Sequence, residues 1–331
     1  MSGMRRSFIS ILLLIVILAA GAAVVGGYAW AWGRYTGPGP STADNTVIIP
    51  RGSGLKTIAR TLAGAGIIGD QMVFRLGARV SGVDTQLKAG EYTFPAHISS
   101  ENAAKILASG KTVVHRLTVP EGLTSAQIYL LLLDTDGLEG DIALPVEGTM
   151  LPETYHFSHG DRRSVLARRM QDSMRKKLAA LWAARAPYLP FKSPADALIL
   201  ASIVEKETAQ ADERPLIAGV FMNRLKKGMR LQSDPTVIYG ISDGAGFIDR
   251  ALSRADLNAP NPYNTYQING LPPGPIGNPG AAALDAVFAP AKTDALYFVA
   301  DGTGGHVFAK TLKEHNRNVA KWRKIRDARG G

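Results

Sequence analysis

The strongest pattern in the chain is an uncharged, apolar run from Phe8 to Trp32, preceded by Arg5 and Arg6. At about 1.5 Å of rise per residue it is long enough to cross a bilayer. It ends in Trp30, Trp32 and Tyr35, the residue types that collect at membrane–water interfaces. A cleaved signal peptide would have a shorter apolar core, so residues 1–35 read as a cytoplasmic tip and a retained single-pass anchor. With positive charge kept on the cytoplasmic side, the chain beyond Arg34 is expected outside an inner membrane, which in a Gram-negative cell is the periplasm. Residues 36–45, with their Gly-Pro-Gly-Pro run, read as a flexible linker; a random coil of that length spans roughly 15–20 Å.

After Thr46 the apolar spacing becomes that of short elements. Val47-Ile48-Ile49 predicts a strand. Ser53 opens a helix carrying Leu55, Ile58, Ala59 and Leu62, and Gly64-Ala65-Gly66 ends it. A second helix over Gln71 to Val80 and a strand over Gly90 to Phe94 complete a β-α-α-β order that resembles a LysM module, a small sugar-binding fold. Residues 46–113 are assigned to it. A helix from Ser99 to Ala108, a strand from Val113 to Val119 and a helix from Thr124 to Leu133 follow. Pro120-Glu121-Gly122 repeats, between strand and helix, the punctuation of Pro50-Arg51-Gly52.

The second half, residues 114–331, is organised around Ser193 to Thr208. Ser193, Pro194 and Asp196 make a well-signalled helix start, and Ala195 to Val204 is apolar on nearly every face, as in a helix buried all round. Glu205 stacks over Ala201, Ser202 and Leu198, so its carboxyl begins on a buried stripe near the negative end of the helix dipole. Both effects favour the protonated form, and a carboxyl group kept protonated near neutral pH can donate a proton to a glycosidic oxygen. The position equally suits a structural ion pair of Glu205 or Glu207 with Lys206 or Arg214, and this helix alone does not choose. Arg214 to Leu225 predicts another amphipathic helix, stopped by Gly228, with Asn223 off its apolar stripe. Ala295–Ala300 and His306–Lys310 predict a hairpin, and the chain ends in a helix from Leu312.

Composition narrows the chemistry. With no cysteine there is no thiol nucleophile and no disulfide framework. The six histidines are scattered; only His156 and His159 have a metal-like spacing, without a carboxylate partner, so neither metal nor cofactor is expected. Ser173-Met174-Arg175-Lys176 fits Ser-x-x-Lys but lacks the Lys-Thr-Gly partner of that chemistry. A formal charge of +10 suits anionic lipid or wall polymer outside the membrane rather than nucleic acid. The unpatterned stretch from Asn258 to Gly280 is rich in proline and asparagine and too long for a plain connector. There Tyr263 and Tyr266 could stack on sugar faces and Asn264 and Gln267 could bind hydroxyl or acetamido groups. The polar cluster from Met229 to Gly240 is a candidate cleft wall.

A resemblance runs through these segments. Leu200-Ala201-Ser202-Ile203-Val204-Glu205-Lys206-Glu207-Thr208, Phe221-Met222-Asn223-Arg224-Leu225, Leu231 to Gly240, Tyr263-Asn264-Thr265-Tyr266, Gly270 to Ile276 and Tyr297 to Gly302 resemble, in order and spacing, the motifs of the YceG-like family of membrane-bound endolytic murein transglycosylases. Glu147-Gly148 through Pro152-Glu153-Thr154-Tyr155 is similar to a further family segment, with Leu151 and Glu153 replacing the usual Phe and Asp. The resemblance implies an α+β protein: anchor, LysM-like module, and a mixed catalytic domain with a helical core and a β-hairpin. It implies that Glu205 is the catalytic acid in cutting peptidoglycan between N-acetylmuramic acid and N-acetylglucosamine, leaving 1,6-anhydro ends and stopping strand growth beside the peptidoglycan synthases. Glu207, Asn223, Gln232, Ser233, Asp234, Tyr263, Asn264 and Tyr266 are the candidate substrate contacts. A non-catalytic, membrane-anchored wall-binding scaffold is the alternative.

Overall fold

The computed structural model describes residues 2–328, with side chains from residue 8 onward; the side chains of Arg5 and Arg6, on which the expected orientation rests, lie outside the described set. The chain divides into two compact units, one made of residues up to 115 with 158–160 and the other of 116–157 and 161 onward.

The first unit runs α1 (Ser2–Thr36), β1 (Asn45–Ile49), α2 (Leu55–Gly64), α3 (Gln71–Val80), β2 (Gly90–Phe94) and α4 (Ser100–Ser109). The residues from Phe8 to Thr36 form one helix long and apolar enough to span a membrane. β1 and β2 pair antiparallel, with Asn45 opposite Phe94 and Ile49 opposite Gly90. Alternation then points Val47, Ile49, Tyr92 and Phe94 into a core closed by Ile58, Leu62, Phe74 and Leu107. Asp70 caps α3 by accepting the Met72 and Val73 N–H groups, and Ser99 caps α4. α2 begins one residue later than expected: its cap is Gly54, and Ser53 caps nothing.

The expected flexible linker is a correction. Gly39 donates its N–H to the His97 carbonyl, and His97 in turn donates to the carbonyl of Ser41, which is buried. A Cβ on Gly39 would lie 2.2 Å from the Ile98 carbonyl oxygen and 2.7 Å from that of Ile67. Glycine therefore stands there because two backbone strands approach closely, not because the segment is loose. Just before it, Tyr35 is only 1% exposed, its ring lying where a Cβ on Gly77 of α3 would fall. The anchor helix is thus seated on α3, and the chain from Tyr35 to Asn45 is pinned to the unit it enters.

The second unit contains β3 (His115–Thr118, whose first residue belongs to the first unit), α5 (Ser125–Asp134), β4 (Leu138–Glu139), β5 (Thr154–Phe157), β6 (Asp161–Arg162), α6 (Arg163–Ala183) and α7 (Pro194–Glu207). It continues with α8 (Arg214–Lys226), α9 (Asp234–Ile241), α10 (Arg254–Asn258), α11 (Ala281–Phe288), β7 (Tyr297–Ala300), β8 (His306–Ala309) and α12 (Leu312–Ala328). β3 pairs with β5, β4 with β6, and β7 with β8 as an antiparallel hairpin. The architecture is a mixed α and β one with an N-terminal apolar helix.

α7 is the central element of this unit. Its capping box forms as expected, with the Ser193 hydroxyl on the Asp196 N–H and the Asp196 carboxylate on the Ser193 N–H. Helices α6, α8, α9 and α11 all pack against it. Leu200, Ile203 and Val204 join Ile217, Phe221, Leu284 and Val287 in one core, which explains a helix that is apolar on nearly every face. A smaller core of Leu117, Ile128, Leu132, Met150, Phe157 and Met170 lies under β3, α5 and β5. α12 buries none of its residues; Leu312 and Ile325 remain exposed, while His315 stacks on Tyr297.

Candidate active site

The last turn of α7 delivers Glu205, Lys206 and Glu207 in three directions. Glu205 retains only 4% side-chain exposure. Its Oε1 accepts from Arg214 Nη2 at 2.8 Å, and its Oε2 accepts the Gly280 N–H at 2.8 Å. The same Arg214 Nη2 reaches Glu121 Oε2 at 3.1 Å, so one buried guanidinium bridges two carboxylates, and Glu121, 41% exposed, is the nearer of the two to solvent. The ion pair that was left open therefore exists. Burial nonetheless raises the Glu205 pKa above the ordinary carboxylate range; the Gly280 N–H and Arg214 oppose the shift, while the Glu121 charge adds to it. A carboxyl group held in place by two donors and still biased towards protonation is suited to give and take back a proton.

Three loops close over this carboxyl. Pro120-Glu121-Gly122 turns at Gly122 with a φ of 76°, and the Gly122 N–H donates to the Asn278 carbonyl. A Cβ there would meet Glu205 Cγ at 3.4 Å. The segment before α11 is fastened to α7 itself, since Ile276 donates its N–H to Ser202 Oγ at 3.0 Å. Asn278, fully buried, spreads its amide over the Leu123 carbonyl, Ser125 Oγ and Glu147 Oε1, while its Oδ1 accepts from the Met150 N–H. Glu147 also accepts the Ser125 and Gly148 N–H groups and the Tyr239 hydroxyl, and burial raises its pKa against all of these donors. Burial lowers the pKa of Lys206, and the charges of Glu147 and Glu205 hold it up in part.

Glu207 is held on the side of Ser233. Burial pushes its pKa up to about 7, opposed by the hydrogen bond that Ser233 Oγ donates to its Oε1 at 2.5 Å. Ser233 is fixed in turn by Thr265, whose Oγ1 accepts its N–H and meets Thr236 Oγ1 at 2.8 Å. Tyr266 donates its hydroxyl to Asp234 Oδ1 at 2.6 Å, and Tyr263 packs against Tyr239 with ring centroids 4.8 Å apart. Gln232 sits exposed in the left-handed region at φ of 50°, its N–H on the Thr265 carbonyl.

Three of the expected contacts make hydrogen bonds within the protein. Asn264 is buried; its Nδ2 donates to the carbonyls of Asp256, Leu257 and Ala259 at the end of α10, and its Oδ1 accepts the Tyr266 N–H. Gln267 is likewise turned onto the Leu257 carbonyl. Asn223 donates to the carbonyls of Thr293 and Ala295 and anchors the approach to β7. The residues that sequence reasoning missed are Glu121, Glu147, Tyr239 and Asn278. Glu121 lay in the repeated Pro-x-Gly punctuation and Glu147 in the Glu-Gly segment, each noted for its pattern and not for its carboxylate. Among the described residues no group of three or more His, Asp or Glu side chains is arranged to hold a metal ion.

The profile of the YceG-like family matches residues 47–321, and the chain belongs to that family. A protein of Streptococcus pneumoniae (strain R6) named endolytic murein transglycosylase is 32% identical over 97% of this chain, and the alignment spans 66% of that longer protein. One of the same name from Bacillus subtilis is 32% identical, with 83% of each chain covered. The crystal structure of a putative YceG-like protein from Listeria monocytogenes is 31% identical, covers 84% of this chain and 99% of its own, and superposes with a TM-score of 0.49.

Proposed function

We propose that this protein is a membrane-anchored endolytic peptidoglycan lytic transglycosylase with Glu205 as its acid and base. The observation that carries the reading is the buried Glu205 carboxyl, raised in pKa yet fixed by Arg214 and the Gly280 N–H, in a chain whose relatives bear that name. In the proposed reaction Glu205 protonates the oxygen joining C1 of N-acetylmuramic acid to C4 of N-acetylglucosamine. The C1–O bond breaks, its electron pair leaving with the glucosamine oxygen. The muramic acid 6-hydroxyl then closes on C1 and returns its proton to Glu205. No water enters, so the two fragments together weigh what the strand weighed. Arg214 stabilises the carboxylate that exists between the two proton transfers.

Glu207, Gln232, Ser233, Asp234, Tyr263 and Tyr266 are proposed to line the path of the strand, the two tyrosines by stacking on sugar faces. The β-α-α-β unit is proposed to be a LysM-like glycan-binding module. The anchor is proposed to cross the inner membrane once with its N-terminus cytoplasmic, so that the enzyme works on new strands beside the synthases that make them. Digestion of purified glycan strands by the full chain in detergent, followed by mass analysis, tests the reaction: anhydro ends support it and hydrated ends reject it.

A further inference from the structure

In α3, residues 72, 75, 76, 79 and 80 fall on one helical face at spacings of three and four. That face is amphipathic in an unusual sense. Met72, Leu76 and Val80 form its apolar stripe and are 66%, 49% and 60% exposed, while Arg75 and Arg79 flank them. The opposite face is the one that the protein uses, with Phe74 and Ala78 in the core and Gly77 beneath Tyr35. Beside the exposed stripe runs a groove of about 290 Å³ between α3 and the end of α1, lined from α1 by Gly27, Tyr28, Ala31, Trp32 and Tyr35.

The length of α1 fixes the level of that groove. Phe8 to Thr36 is 29 residues. About 20 residues cross the hydrocarbon core of a bilayer. A span starting at Phe8 therefore leaves hydrocarbon near Tyr28, and the remaining two turns lie in the headgroup layer. Those two turns carry the stacked Tyr28 and Trp32 and the Arg34 guanidinium over Trp30, an interfacial belt. They are also the turns on which α3 is seated, through Tyr35 and Gly77, and the pinned segment after Thr36 holds that seat.

We propose that α3 is a second membrane contact: its Met72, Leu76 and Val80 stripe lies in the outer-leaflet interface, acyl chains fill the groove against α1, and Arg75 and Arg79 take anionic lipid headgroups. Arginine stems can lie along the apolar surface while their guanidinium groups reach phosphate. The inference rests on α1 being the membrane anchor.

The absence of cysteine makes the test direct. Single variants of the full chain, Met72→Cys, Leu76→Cys, Val80→Cys, Leu18→Cys in α1 and the exposed Arg60→Cys in α2, are labelled with an environment-sensitive fluorophore and placed in phosphatidylcholine nanodiscs with or without phosphatidylglycerol. All three α3 labels should shift to the blue and be quenched by lipid carrying a shallow nitroxide, Leu18 by a deep one, and Arg60 only by aqueous iodide. Phosphatidylglycerol should strengthen the α3 quenching, and Arg75→Gln with Arg79→Gln should remove that gain. Iodide-quenched, red-emitting α3 labels beside an embedded Leu18 would overturn the proposal and leave the anchor standing. A water-exposed Leu18 would overturn both.

Discussion

Gly280 gives its backbone N–H to Oε2 of Glu205 at 2.8 Å, and it does so from a position where any side chain would collide with a second carboxylate. A Cβ there would lie 1.8 Å from Glu121 Oε1. Gly280→Ala should therefore displace either the Glu121 loop or the loop before α11 and loosen the hold on Glu205. Because the φ of Gly280 is −73°, alanine is not strained in its own backbone, and the fold should persist. The expected result is a loss of turnover of at least about tenfold, for a hydrogen bond to a charged group of roughly 1.5–3 kcal/mol. The thermal midpoint should stay close to that of the parent, as followed by circular dichroism.

Arg214 neutralises two carboxylates from a buried position, and removing it should be felt through Glu205 in a pH-dependent way. Arg214→Met leaves a buried carboxylate without its partner, a loss of about 3–5 kcal/mol when that carboxylate is charged. Glu205 can escape the penalty by taking up a proton, so destabilisation should be larger at pH 8 than at pH 5 in denaturant titrations. The Glu205 pKa, already raised, should rise further without Arg214, carrying the alkaline limb of any residual activity to higher pH. Adding Glu205→Gln to Arg214→Met should recover much of the lost stability; strict additivity of the two changes would show that the pair does not interact.

The Glu207 carboxyl, raised to about 7 by burial, makes a statement about stability. Its protonated form is the one the fold accommodates. The corresponding stability is fully present below the ordinary carboxylate pKa and is lost as pH rises through about 7. Replacing it by Gln keeps an acceptor for the Ser233 hydroxyl and removes the titration. The thermal midpoint of Glu207→Gln should accordingly vary less between pH 5.5 and pH 8 than that of the parent protein. Equal pH dependence in both would assign the raised carboxyl elsewhere.

Asn264 and Asn223 should behave as structural residues. Asn264→Ala strips donors from three backbone carbonyls at the end of α10, and the cost of leaving such buried groups unpaired is about 1–3 kcal/mol. Stability should fall while the affinity of the folded fraction for glycan strands stays close to parent. A variant of normal stability that binds strands weakly would restore Asn264 to the list of substrate contacts.

Much of α7 was legible in the chain because its signals are local. The Ser193 and Asp196 caps, the run without a polar face and the carboxylates at its end all lie within one helix. What escaped was what only tertiary folding brings together. Glu121, Glu147 and Asn278 arrive from three loops far apart in sequence, and no periodicity within any one loop announces their convergence. The amides of Asn223, on α8, and Asn264, in a loop, show the complementary limit, since a polar side chain reads the same in the sequence whether it faces a ligand or the protein's own carbonyls. The segment from Thr36 to Asn45 misled by composition: glycine permits looseness and close approach alike, and at Gly39 it is the carbonyls of Ile67 and Ile98 that require it.

The central claim is that Glu205 moves the proton during strand cleavage, and the most direct measurement compares the full chain with its Glu205→Gln variant on purified glycan strands by mass spectrometry. Glutamine keeps the size of the side chain and one acceptor, enough for either Arg214 or the Gly280 N–H but not both, and has no proton to give. The parent should yield fragments ending in 1,6-anhydro-N-acetylmuramic acid, with no water added. The variant should be folded, bind strands and release no fragments. A folded variant that still cuts at the parental rate, or parental fragments that carry an added water, would contradict the account. Strands bound by the parent protein and left at full length would identify it as a wall-binding scaffold.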